Sequence, residues 1–237
     1  MHTVKHIAES RGAVNHGWLK SHHSFSFANY YNSERMNFGA LRVLNDDIVQ
    51  PKMGFGTHPH QNMEIISIPL KGALSHKDSM NNIRSIEVGE VQVMSAGTGI
   101  SHSEFNNSNT EEVNFLQLWI VPEKQNISPK YGQKLFDKKG RNNQFQTLVS
   151  PQNKLVEGSL GICQQASIHI GNFDQGKQSS YSIEVGKGVY VFLIDGQIEV
   201  NGEQLDKKDA ICIWHTDTIT IKTLATSEVL LIDVPMV

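Results

Sequence analysis

The stretch Glu64-Ile65-Ile66-Ser67-Ile68-Pro69-Leu70-Lys71-Gly72-Ala73-Leu74-Ser75-His76 holds a short apolar run, a glycine turn and a second run. Such runs are brief, rich in β-branched residues and bounded by a turn signal, so they predict strands rather than a helix. The same order recurs from Val191 to Val200, around Ile194-Asp195-Gly196-Gln197-Ile198. The two glycines stand 124 positions apart in a chain of 237, about half its length. Each is followed by an acidic-apolar stretch, Gly89-Glu90-Val91-Gln92-Val93 in one half and Lys208-Asp209-Ala210-Ile211-Cys212 in the other. This weak repeat predicts two similar β units in tandem. The polar stretch Arg141-Asn142-Asn143-Gln144 carries turn chemistry and marks the boundary. The expected units are residues 1–140 and 141–237.

The rest of the chain has the same texture. Continuous apolar runs at 64–70, 115–121, 189–194 and 229–234 are expected as strands covered on both faces. Alternation at 24–27, 182–185 and 197–200 predicts strands with one apolar face. Only 29–36 suggests a turn or short helix, and 123–131 is a polar connector. Many short strands imply an all-β sandwich or barrel. Charged residues are 19% of the chain, too few for coiled coils. The formal charge of −3 offers no basic surplus, so nucleic acid is not the expected partner. No apolar run approaches the 18 residues of a membrane span, and residues 1–6 lack the apolar core of a signal peptide. The two cysteines are expected as reduced thiols in cytoplasm, and the chain as a monomer.

Nine of eleven histidines precede residue 103, so only the first half has the material for a metal site. Gly56-Thr57-His58-Pro59-His60 is one motif, and Gly97-Thr98-Gly99-Ile100-Ser101-His102-Ser103-Glu104 the other. On strands, i and i+2 share a face. His58 and His60 therefore project together, as do His102 and Glu104. Three imidazoles and a carboxylate suit a first-row divalent metal and leave positions open for substrate. Either motif alone is weak, because roughly half a His-x-His pair arises by chance in such a chain. His76 is expected as a solvated or backbone-bonded imidazole, with a supporting place behind the ligands as the alternative. His16, His22 and His23 lie beside aromatics, and one of them is a candidate to line a pocket. Trp18, Phe25 and Phe27 are expected in the core, Cys212 as a packed hydrophobe, and Ser101 and Ser103 on the face away from His102.

The succession His58-Pro59-His60, Met63-Glu64, Leu70-Lys71-Gly72, His76-Lys77-Asp78-Ser79 and Met94 to Glu104 resembles the pirin family of the cupin superfamily. Asn15-His16-Gly17-Trp18-Leu19 and Ser24 to Tyr30 resemble its bacterial branch, which includes quercetin 2,3-dioxygenases. The resemblance implies a bicupin, two antiparallel jelly-roll barrels with one metal in the first. It implies His58, His60, His102 and Glu104 as ligands, and Glu104 as the base that takes a flavonol's proton. Iron(II) is the expected ion; nickel, cobalt, manganese, copper and zinc fit the same donors. General cupins take a glutamate four residues after the second histidine, where Glu64 stands, but in pirins the carboxylate comes from the second motif. Asn106 keeps the usual interval after His102. The implied substrates are a flavonol and O₂, and the implied products a depside and carbon monoxide. A redox sensor that binds a regulatory partner is the other role the resemblance offers.

Overall fold

The computed structural model describes residues 1–236. Strands account for nearly every element, and helix is confined to single turns at Ala8–Ser10, Lys138–Arg141 and Gln152–Lys154. From the N-terminus the strands are β1 (His2–His6), β2 (Gly12–Asn15), β3 (Leu19–His23), β4 (Leu41–Val49), β5 (Gly54–His60), β6 (Glu64–Lys71) and β7 (Ala73–Asp78). There follow β8 (Ile83–Glu87), β9 (Glu90–Ser95), β10 (Ile100–Phe105), β11 (Val113–Ile120) and β12 (Lys130–Leu135). The second half has β13 (Phe145–Pro151), β14 (Leu160–Ile162), β15 (Ser167–Phe173), β16 (Gln178–Ser182) and β17 (Lys187–Asp195). It ends with β18 (Gln197–Val200), β19 (Glu203–Asp206), β20 (Ala210–Trp214), β21 (Thr218–Thr223) and β22 (Ser227–Pro235). No helix among the described residues is long and apolar enough to cross a membrane.

Each half is a seven-stranded sheet facing a four-stranded one. The hydrogen bonding leaves them as paired sheets rather than closed barrels. The first half runs β12-β9-β6-β11-β4-β3-β2 over β5-β10-β7-β8, and the second β1-β20-β17-β22-β15-β13-β14 over β16-β21-β18-β19. The two orders correspond strand for strand, with β6 and its glycine turn matching β17. Both edges break the tandem pattern: β2 precedes β3 and runs antiparallel to it, whereas β14 follows β13 and runs parallel. The place of β12 in the second half is filled by β1, which pairs with β20 from His2↔Trp214 to His6↔Ala210. Residues 2–6 therefore lie with the second half, not with the first as the expected 1–140 unit has it. The pairing gives β20 a neighbour on the side away from β17 and so covers an edge that would otherwise be open.

The long apolar runs form the buried large sheets. On β6, Ile66 and Ile68 join Leu116, Leu118 and Ile120 against Tyr190, Phe192, Leu230 and Ile232 of the second half. Both faces of these strands are therefore covered, which is why their sequences do not alternate. Inside the second half, Val189, Val191, Leu193, Ile211, Ile213 and Leu231 belong to one continuous apolar core. The first half differs. Leu19, Val49, Leu74, Ile86, Val113 and Phe115 cluster at one end, Ile65, Met94, Ala96 and Ile100 at the other. The space between is polar, and the site lies there.

Two local expectations are revised and one open choice is decided. Residues 24–27 form no strand: Ser24, Phe25 and Ser26 are all buried, and only a Phe27↔Tyr30 bridge forms. Residues 29–36 take the turn of the two expected forms, not the short helix. The segment 182–185 leaves β16 at Ser182, and Val185 is 97% exposed.

Candidate metal centre

The antiparallel pair β5–β10 sets His58 opposite His102 and His60 opposite Ile100. The three imidazole centroids lie 4.5–4.9 Å apart, and one nitrogen from each falls within 4.8 Å of the others. His58 Nδ1 faces the Gly56 carbonyl at 2.8 Å, which fixes the proton there and leaves Nε2 with a free lone pair. His102 is buried with neither ring nitrogen partnered. Buried polar atoms are normally satisfied, so these orphans fit a cation. Burial, then the neighbouring imidazoles, pushes His102 down to about 2, and burial with His58 pushes His60 to about 4. Both rings are neutral at pH 7, the form a metal takes.

Glu104 lies on the same buried face, its carboxylate grouped with His102 and His76 rather than directly among all three histidines. Its Oε2 accepts from Gln117 Nε2 at 2.8 Å, and its Oε1 lies 3.2 Å from Ser67 Oγ. Ser67 Oγ is also 2.9 Å from Gln117 Oε1. Ser67 has one proton for two acceptors if Glu104 is ionised. With Glu104 protonated the ring closes: Glu104 donates to Ser67, Ser67 to Gln117, and Gln117 to Glu104. Burial raises the Glu104 pKa in the same direction.

His76 takes the supporting place, not the solvated one expected. It is 1% exposed, with Nε2 3.0 Å from Asp78 Oδ2 and Nδ1 3.3 Å from Gln92 Nε2. Both nitrogens are engaged, so His76 presents no lone pair to an ion although it borders His102 and Glu104. Asp78 in turn accepts from the Met80 and Asn82 backbone and from Asn82 Nδ2.

Sequence reasoning missed what holds these groups. Ser67, Gln92 and Gln117 each interrupt an apolar run, as in Leu116-Gln117-Leu118. The strand register aligns them into one inward-facing row, Gln133–Gln92–Ser67–Gln117–Asn45–His23, across six adjacent strands. A lone polar residue inside a buried run was the available signal. Asp47, one layer deeper, is pushed up to about 7 by burial, with Asp46 and Glu104 adding repulsion. Above the row, Met63, Met80 and Trp119 pack on Ile65, Met94 and Ile100 beside His60.

The remaining candidates separate cleanly. Glu64 faces away from the cluster, buried toward the second half with Ser95 Oγ donating to it at 2.6 Å. His16 is exposed, His22 sits near Arg11 and Asp46, and His23 points inward. Asn106 donates to the Val49 and Glu111 carbonyls and pins a loop. Ser101 and Ser103 lie on the opposite face from His102. Phe25 is core, whereas Phe27 and Trp18 are only partly buried. Cys212 is buried, its thiol pushed up to about 12 by burial.

Residues 4–120 match the family described as Pirin, and residues 147–234 the quercetinase C-terminal cupin domain. The chain is 43% identical over 231 residues to a quercetin 2,3-dioxygenase of Escherichia coli K12, covering 97% of each. It is 39% identical to a pirin-like protein of Caulobacter vibrioides, over 94% of this chain and 95% of the other. Among solved structures it superimposes on the bacterial pirin YhhW of Escherichia coli in complex with nickel(II). That match has a TM-score of 0.94, 41% identity and full coverage of both chains.

Proposed function

The chain belongs to the pirin family, and from that premise we propose that it is a metal-dependent dioxygenase that opens a flavonol with O₂ and releases carbon monoxide. One observation carries the reading: three imidazoles converge beside a buried carboxyl, under an apolar wall. His58, His60 and His102, with Glu104, would hold the ion. Iron(II) suits three nitrogens and one oxygen, and nickel(II) fits the same donors.

When bound, the ion supplies a Lewis acid that acidifies the flavonol 3-hydroxyl. Glu104 then takes that proton as a base, and Ser67 and Gln117 hold the resulting carboxyl in place. His76, fixed by Asp78 and Gln92, packs against His102 at 5.4 Å and keeps its ring oriented. Trp119, Met63 and Met80 offer soft apolar surface to an aromatic ligand and exclude water from the electron-rich flavonolate. Two oxygen atoms enter, one ring carbon leaves as carbon monoxide, and the rest is a depside.

The test is carbon monoxide release and O₂ uptake with quercetin, using metal-loaded protein beside His58→Ala and a protein-free control. Carbon monoxide from the intact site alone is the expected result. Its absence from protein shown to carry metal turns the assignment to a redox-sensing, partner-binding role.

A further inference from the structure

A cavity of about 220 Å³ opens at the seam between the two halves, and none of the proposed metal ligands lines it. Ser95 at the end of β9 lines it with Ile162 and Cys163 of the second half, and Lys124, Ile127 and Lys130 of the polar connector face them. The connector is fastened here. Glu123 N donates to the Cys163 carbonyl at 2.7 Å, and Gln164 Nε2 to the Val121 carbonyl at 2.8 Å. The polar groups of the cavity are unevenly used. Its acceptors are taken from within: Glu123 Oε2 by Gln165 Nε2 at 2.7 Å, Asn153 Oδ1 by the same amide at 3.2 Å, and Gln164 Oε1 by the Gln165 backbone at 2.7 Å. Glu64 is buried behind Ser95, whose Oγ donates to it at 2.6 Å. Burial raises its pKa, so it opposes an incoming anion less than a free carboxylate does. The cations are not taken. Lys5, Lys187, Lys207 and Lys208 are the lysines with ion pairs among the described residues, so Lys124 and Lys130 have none.

We propose that this seam cavity is a second binding site, which takes a single-ring aromatic carboxylate on Lys124 and Lys130 with its ring against Ile127 and Ile162. Free cations beside satisfied acceptors select for negative charge. The isoleucines supply the apolar surface that such cavities offer to the body of a ligand, while a few polar groups fix its orientation. Size sets the rest. A cavity of about 150 Å³ admits benzene, so this one has room for a ring and its carboxylate. The site stands apart from the imidazoles, and the inference does not rest on the flavonol reading.

The experiment uses benzoate as the probe, on nickel-loaded protein at constant ionic strength. Cys163 borders the cavity and is partly exposed, whereas Cys212 is buried, so the rate of Cys163 alkylation, read by peptide mass, reports occupancy at this place alone. Benzoate is expected to slow that alkylation saturably. Benzamide, the same shape without the charge, and acetate, the charge without the ring, each need at least about tenfold more for the same protection. Lys124→Gln and Lys130→Gln each raise the benzoate concentration for half protection about threefold, and Lys124→Arg and Lys130→Arg, which keep the charge, do not. Thermal melting checks that each variant is folded; if one is not, the comparison of benzoate with benzamide on the wild type decides. No protection of Cys163 at about 10 mM benzoate overturns the site, even if benzoate binds at the metal. Protection by benzamide or acetate equal to that by benzoate, or folded glutamine variants that protect like the wild type, overturns it as well.

Discussion

At the residue scale, the decisive contact is the pair of hydrogen bonds on Glu104. Gln117 and Ser67 hold both carboxylate oxygens, so they position the group without touching an ion. Gln117→Leu is expected to weaken nickel affinity about tenfold, the worth of one charge-assisted bond, as read by chelator competition. The pH dependence has a definite sign. On the proposed ligand set nickel needs the ionised carboxylate, and burial raises the Glu104 pKa, so protons compete and affinity is expected to climb as pH rises through that raised value. Gln117 lowers the same pKa, so Gln117→Leu moves the climb to higher pH. Glu104→Gln removes this proton from the competition and flattens the climb. His60 and His102 are already neutral well below pH 6 and add nothing above it. The histidine motifs were legible because i and i+2 share a strand face. Gln117, Gln92 and Asn45 were not, because one polar residue in an apolar run has no periodicity. Their meaning comes from a register between strands up to 72 positions apart, such as Asn45↔Gln117.

Among the elements, the two glycine hairpins were read correctly because each joins a β-branched run to another through a residue that needs positive φ. Gly72 has φ 72° and Gly196 has φ 95°. A Cβ on Gly72 would stand 2.9 Å from the Glu112 carbonyl, and one on Gly196 2.3 Å from Ser227 Oγ and 2.4 Å from the Thr226 carbonyl. Gly72→Ala is expected to cost about 2 kcal/mol from backbone conformation. Gly196→Ala meets the closer contacts of the two and costs more, so denaturant midpoints should fall in that order. The alternation at 24–27 misled because a coil can bury both faces when it lies across a sheet. There Ser26 Oγ donates to the Asn32 carbonyl and accepts from its amide, replacing a ladder.

For the whole molecule, the halves are joined by apolar surface and by one buried charge group. Asp46 of the first half meets Lys208 of the second at 3.0 Å and Arg11 at 3.7 Å. Asp46→Ala leaves two cations without their partner and is expected to destabilise by about 3 kcal/mol, seen as a lower thermal midpoint. Deleting residues 1–7 removes β1 and uncovers β20. A loss on the order of 2 kcal/mol, or roughly 4–8 °C, is expected. The sequence concealed β1 because His2-Thr3-Val4-Lys5-His6 reads as a polar terminus, and the apolar pattern that needs it lies at the other end. His2 pairs with Trp214, 212 positions away. The first strand in chain order is therefore among the last to be seated. During synthesis it stays unpaired while the first half has every strand it needs, and the second half remains an open-edged sheet until β1 docks. Long-range pairings of this kind form slowly, so the newly made chain spends its most aggregation-prone interval after its metal-binding half is complete.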